Sequence, residues 1–143
     1  MNYKLVPSTH DDIENIINYK LDSILKYASS LSNQEKNRII NYVKKSVPEQ
    51  INNYNSIVLN DLNIGCLLIE KFLDGIIINE LYIIDKFRGL GIGSSILRDI
   101  IRSNDLIYLW VYKDNSRALN LYQKLGFKVK EETDSRMLMY KSK

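Results

Sequence analysis

Between Glu80 and Leu97 the chain reads as an apolar strand, a loop with glycines at three alternate positions, and a helix. Gly89, Gly91 and Gly93 carry no Cβ, so a ligand can approach the main chain closely there. The first turn of a helix holds N–H groups without internal acceptors, and the helix dipole adds partial positive charge at that end. Together these features suit a phosphate or diphosphate. Arg88 stands at the mouth of the loop and can add a charged contact. A glycine run is equally consistent with a plain flexible turn. Neither nucleotide fingerprint is complete: Ser94 stands where a dinucleotide loop needs its third glycine, and Gly93 is followed by Ser94-Ser95 rather than Lys-Ser/Thr.

The rest of the chain surrounds this segment with alternating patterns. Tyr3 to Val6 reads as a strand, and Ser8 or Thr9 can cap a helix carrying Ile13, Ile16, Ile17, Leu21, Ile24, Leu25 and Ala28 at helical spacing. Ser32-Asn33-Gln34-Glu35 is a capping box for a second helix, with Ile39, Ile40, Val43 and Val47 as its stripe and Pro48 marking its end. Strands follow at Asn55 to Leu59, Ile64 to Phe72 and Ile76 to Ile84, with turns at Asn60 to Asn63 and at Asp74-Gly75. After the glycine loop, a helix over Ile92, Ile96, Leu97, Ile100 and Ile101 leads to a strand from Leu106 to Tyr112. Asn115 caps a fourth helix with Ala118, Leu119, Tyr122 and Leu125 inward, and Gly126 stops it. Phe127 to Lys130 and Arg136 to Tyr140 are the last strands. The expected order is β-α-α-β-β-β-α-β-α-β-β, an α/β layer fold within one domain spanning residues 1–143.

Composition narrows the chemistry. One cysteine and one histidine among 143 residues exclude an intrachain disulfide, a thiolate cluster and a site built on several imidazoles, which covers most zinc sites. Twenty basic against seventeen acidic residues give a net charge of +3, scattered rather than massed, so no nucleic-acid face is indicated. No apolar run approaches the ~20 residues of a membrane helix, so no membrane partner is expected. Asp11, Asp12 and Glu14 stand where a secretory leader would need apolar residues, so the expected location is cytoplasmic.

Arg88-Gly89-Leu90-Gly91-Ile92-Gly93 resembles the Q/R-x-x-G-x-G/A signature of the GNAT superfamily of N-acetyltransferases. The lead-in Glu80-Leu81-Tyr82-Ile83-Ile84-Asp85-Lys86-Phe87 is similar to that family's strand and loop. A second block, Trp110 to Phe127, resembles the family's strand, Asn cap and helix ending in Y-x-x-x-G-F. The two blocks stand in the family's order, and the resemblance covers roughly residues 55–140.

The resemblance implies a single-domain, mixed and mostly antiparallel sheet flanked by helices. It implies an acyltransferase that moves acetyl from acetyl-CoA to a primary amine, directly, in a ternary complex and without a metal. The diphosphate of coenzyme A would lie on the main chain of Arg88, Gly89, Leu90, Gly91, Ile92, Gly93 and Ser94. Its pantetheine arm would bond the main chain of Ile83 and pass Asn115 and Ala118. Tyr122 would protonate the departing thiolate. On its residue pattern alone, Tyr122 reads as a core position rather than a functional one, and Asn115 is explained by capping.

Glu80 is the candidate base: it shares a strand face with Tyr82 and Ile84, opposite Leu81 and Ile83. A surface or salt-bridged glutamate is the competing reading. Cys66, in an apolar strand with no base, reads as buried filler rather than a nucleophile. The segment from about Tyr27 to Asn33 would shape the acceptor site, and its small polar residues leave the amine open: a small molecule or a peptide. Two other functions fit the loop: a binding module that senses acyl-CoA without turnover, and a nucleotide-dependent oxidoreductase, which the incomplete fingerprint disfavours. The closing strands would allow a homodimer without demanding one.

Overall fold

A computed structural model describes residues 2–26 and 30–143. Its elements are β1 (Tyr3–Pro7), α1 (Ile13–Lys26), α2 (Asn33–Gln50), β2 (Tyr54–Leu59), β3 (Leu62–Phe72), β4 (Gly75–Ile83), α3 (Ile92–Ser103), β5 (Leu106–Tyr112), α4 (Ser116–Lys124), β6 (Lys128–Glu132) and β7 (Arg136–Ser142). The element order is the expected one. Seven strands hydrogen-bond in the order β1-β2-β3-β4-β5-β7-β6. β4 and β5 pair in parallel, and the other registered pairs are antiparallel. Tyr27 and Ala28, given above to the acceptor segment and to the first helical stripe, lie outside the described residues.

The chain forms two compact units, Met1–Leu68 with Glu80–Arg88, and Ile69–Asn79 with Gly89–Lys143. In the first, Ile16 of α1 and Val43 and Val47 of α2 are buried with Tyr54, Cys66 and Leu68 from β2 and β3. Thr9, not Ser8, caps the first turn: its N–H donates to Asp12 Oδ2 at 2.8 Å. Ser8 is buried instead, its Oγ 2.7 Å from that of Ser56. Ser32 and Glu35 form the expected capping box, with Glu35 N–H donating to Ser32 Oγ at 3.2 Å. Pro48 does not end α2, which runs on to Gln50. Proline forfeits one helical bond, but its fixed φ is helical, so a last turn closes around it.

Asn60 and Asp61, at φ 51° and 66°, make the two-residue link between β2 and β3, closed by the Leu59–Leu62 pair. Short polar side chains tolerate that left-handed pair. The next link is one residue earlier than the sequence suggests. Leu73 and Asp74 form it, and Gly75 begins β4. Leu73 therefore sits at φ 50°, with 73% of its surface exposed. A left-handed leucine costs about 1–2 kcal/mol. Leu73→Asn is expected to stabilise the protein by about 1 kcal/mol in urea unfolding, and a loss of stability would contradict that account.

In the second unit Ile92, Ile96, Leu97 and Ile100 of α3 are buried, as are Ile107, Leu109 and Val111 of β5 and Met137 and Met139 of β7. The parallel ladder joins Ile76, Ile77 and Ile78 to Ile107, Tyr108 and Leu109.

Candidate functional site

β4 places Glu80 inside the first unit, where it is 7% exposed. Among the described residues, no hydrogen bond or ion pair engages its carboxylate. Burial lifts its pKa from 4.5 to about 7, and the positive charge of Lys20 on α1 opposes the rise. The carboxyl is therefore half charged near neutrality and able to accept a proton. The salt-bridged surface glutamate left open by the sequence is not what forms. Cys66 is fully buried, and its thiol pKa is raised well above 9.0, first by burial and then by the charge of Glu80. A thiol so placed is no nucleophile.

Next to Glu80, the strand builds an aromatic and ionic cluster. Tyr82 stacks on Tyr19 of α1 with ring centroids 4.9 Å apart. Tyr19 donates to Asn63 Oδ1 at 3.0 Å. Tyr82 donates to Asp22 Oδ2 at 2.6 Å. Burial, then that bond, pushes the Tyr82 phenol up to about 12. Arg88 closes the cluster. Its Nε donates to the Ile83 carbonyl at 2.6 Å, and one terminal nitrogen lies 2.9 Å from Asp85. The other terminal nitrogen is 4.0 Å from Asp22, and the guanidinium carbon is 5.0 Å from the Tyr82 ring centre. The main-chain N–H of Arg88 donates to Asp85 O at 3.1 Å. This network was invisible in the sequence, since Asp22 and Tyr82 are 60 residues apart.

The second unit carries the glycine loop and the second sequence block. Gly89 and Gly91 have φ 78° and 84°, and Gly91 is the N-cap of α3. The first helical bond runs from Ser95 N–H to Gly91 O at 3.0 Å. The N–H groups of Ile92, Gly93 and Ser94 therefore have no helical acceptor. A Cβ added at Gly91 would meet nothing within 4 Å, so the space over this turn is open. A Cβ at Gly89 would lie 3.4 Å from a terminal nitrogen of Arg117, in the first turn of α4. A main-chain anion cradle with one cation at its side fits a diphosphate.

Asn115 caps α4: its Oδ1 accepts from Ala118 N–H at 3.2 Å. The far end of α4 explains why Tyr122, Gly126 and Phe127 occur together. Phe127 N–H donates to Tyr122 O at 3.0 Å and Gly126 N–H to Gln123 O at 3.1 Å, with Gly126 at φ 98°. That is a Schellman motif, and its usual apolar contact is the Tyr122–Phe127 ring pair, 5.9 Å apart. Tyr122 is thus held by its carbonyl and its ring, half-buried rather than lost in the core. Ile83 and Arg88 belong to the first unit with Glu80, and Gly89 to Ser94, Asn115, Ala118 and Tyr122 to the second.

Residues 52–129 match the family described as Acetyltransferase (GNAT) domain. Over 69 residues the chain is 33% identical to an uncharacterised N-acetyltransferase of Methanocaldococcus jannaschii, which covers 45% of this chain but 30% of that protein. Among solved structures, the PaiA N-acetyltransferase of Thermoplasma acidophilum, in complex with coenzyme A, superposes with a TM-score of 0.80 at 20% identity over 100% of both chains. Arabidopsis thaliana Naa50, in complex with the bisubstrate analogue CoA-Ac-MVNAL, does so with a TM-score of 0.63 at 20% identity, again over 100% of both.

Proposed function

This chain belongs to the GNAT acetyltransferase family, and from that premise we propose that it is an acetyl-CoA-dependent N-acetyltransferase acting on a primary amine. The observation that carries the reading is Glu80, a buried carboxylate with no bonded partner among the described residues and a pKa near 7. Burying an unpaired carboxylate is costly, and a group poised at the working pH is what a general base requires.

When bound, acetyl-CoA supplies an activated acetyl group on a good leaving thiol. The N–H groups of Ile92, Gly93 and Ser94 receive the diphosphate, and the main chain of Ile83 orients the arm as an added strand would. Glu80 takes the proton of the acceptor ammonium, freeing the lone pair that forms the new C–N bond. Tyr122 gives its phenolic proton to the sulfur as the C–S bond breaks, and the second proton lost by the newly acylated nitrogen passes through solvent to restore the phenol. No covalent enzyme intermediate is needed. Asn115 holds the first turn of α4, and so Ala118, in register.

The test is calorimetric titration with coenzyme A, followed by acetyl-CoA with a panel of amines and peptides read by thiol release. Binding with release for at least one amine is expected. Absence of coenzyme A affinity would sink the reading. Binding with no release across the panel would instead favour an acyl-CoA sensor.

A further inference from the structure

The family signature draws attention to Arg88, but the structure has already spent that charge. Its Nε is bonded to Ile83 O, one terminal nitrogen faces Asp85, the other faces Asp22, and its plane lies near the Tyr82 ring. Two carboxylates answer one guanidinium, so little positive charge is left for a ligand. Arg117 differs on every count. It is exposed on the first turn of α4, and among the described residues no hydrogen bond or ion pair engages it. One of its terminal nitrogens lies 3.4 Å from where a Gly89 side chain would begin.

We infer that Arg117, not Arg88, is the arginine that binds the diphosphate of the acyl carrier, and that Arg88 is a positioning residue. Arg117 is a loose cation beside a left-handed glycine and close to a helix start with three N–H groups lacking helical acceptors. A guanidinium matches two phosphate oxygens with two donors, and it keeps its charge at every working pH. Arg88 ties the end of β4 and, through Asp22 and Tyr82, α1 to the first residue of the signature. Its loss would loosen the loop without removing a phosphate contact. This assignment rests on the coenzyme A reading above.

The experiment measures coenzyme A affinity against potassium chloride concentration for the wild-type chain, Arg117→Gln, Arg117→Lys and Arg88→Gln. Contacts between a cation and an anionic ligand weaken as salt screens them. Arg117→Gln is expected to weaken binding about tenfold to a hundredfold, in line with one charge-assisted contact, and to flatten the salt dependence. Arg117→Lys should restore the salt dependence with part of the affinity. Arg88→Gln should weaken binding while keeping the wild-type salt dependence.

Dephospho-coenzyme A separates the two phosphate sources. If the Arg117→Gln loss is the same for both ligands, Arg117 reads the diphosphate. If it vanishes with dephospho-coenzyme A, Arg117 holds the ribose phosphate, and the assignment falls. It also falls if Arg117→Gln binds like wild type, or if Arg88→Gln alone flattens the salt dependence. A wild-type chain with no affinity would overturn the functional reading as well, a result distinct from the others.

Discussion

Glu80→Gln is expected to lower kcat/KM by about 10²–10⁴-fold while making the folded protein more stable above neutral pH. The two effects share one cause. An unpartnered carboxylate inside the first unit holds its proton up to about pH 7, whereas in the unfolded chain it would lose it near 4.5. Between those values the folded state binds the extra proton, so stability falls as pH rises through this window. The full shift corresponds to roughly 3 kcal/mol, present below pH 4.5 and lost above 7. Glutamine removes the ionisable group and with it this penalty. The wild-type kcat/KM should fall below about pH 7, as the base becomes protonated, and the variant should lack that limb. Thermal melts at pH 5 and pH 8, with pH–rate profiles, check both halves. A variant no more stable than wild type at pH 8 would contradict the burial argument. Unchanged activity would remove Glu80 from the chemistry.

Tyr122→Phe should lower kcat by about 10²-fold or more and leave coenzyme A affinity within a few-fold of wild type. The substitution deletes one hydroxyl and keeps the ring, so the Tyr122–Phe127 contact and the Schellman bonds of α4 persist. What is lost is the proton for the departing sulfur. An acceptor-independent sensor would be indifferent to the change. The measurement is steady-state kinetics beside calorimetry. A parallel loss of binding and turnover would place Tyr122 in structure rather than chemistry. A better leaving thiol should narrow the gap between variant and wild type, because it needs less protonation.

The order of elements and both ends of α4 were legible in the sequence because each rests on local rules. The Ser32–Glu35 box, the Asn115 cap and the Gly126 stop all act within four residues. The site was legible in part. The glycine loop announced the open helix start at Gly91, and two blocks announced a family. What stayed hidden depends on contacts distant in sequence. Nothing near Glu80 in sequence tells whether it is exposed or buried, because its surroundings come from distant segments, among them Lys20 of α1 and Cys66 of β3, which interact with its charge. The commitment of Arg88 to Asp22 and Tyr82 was hidden for the same reason, and no local signal distinguishes Arg117, since its approach to Gly89 joins positions far apart in sequence. Pro48 misled because a proline near the end of a helix can lie inside the last turn as easily as beyond it. Leu73 misled because the following Asp74-Gly75 carries the stronger turn composition.

The one cysteine of the chain has a use unconnected with catalysis. Cys66 is shielded from solvent and holds its proton tightly, so a thiol-specific reagent cannot modify it in the closed molecule. Labelling must wait for the neighbouring strands to separate, and under fast reclosure its rate follows the free energy of that opening. A single-site alkylation time course therefore reports breathing of the protein beside the proposed base, with no engineered probe. Any ligand that tightens this region should slow it in proportion to its own occupancy.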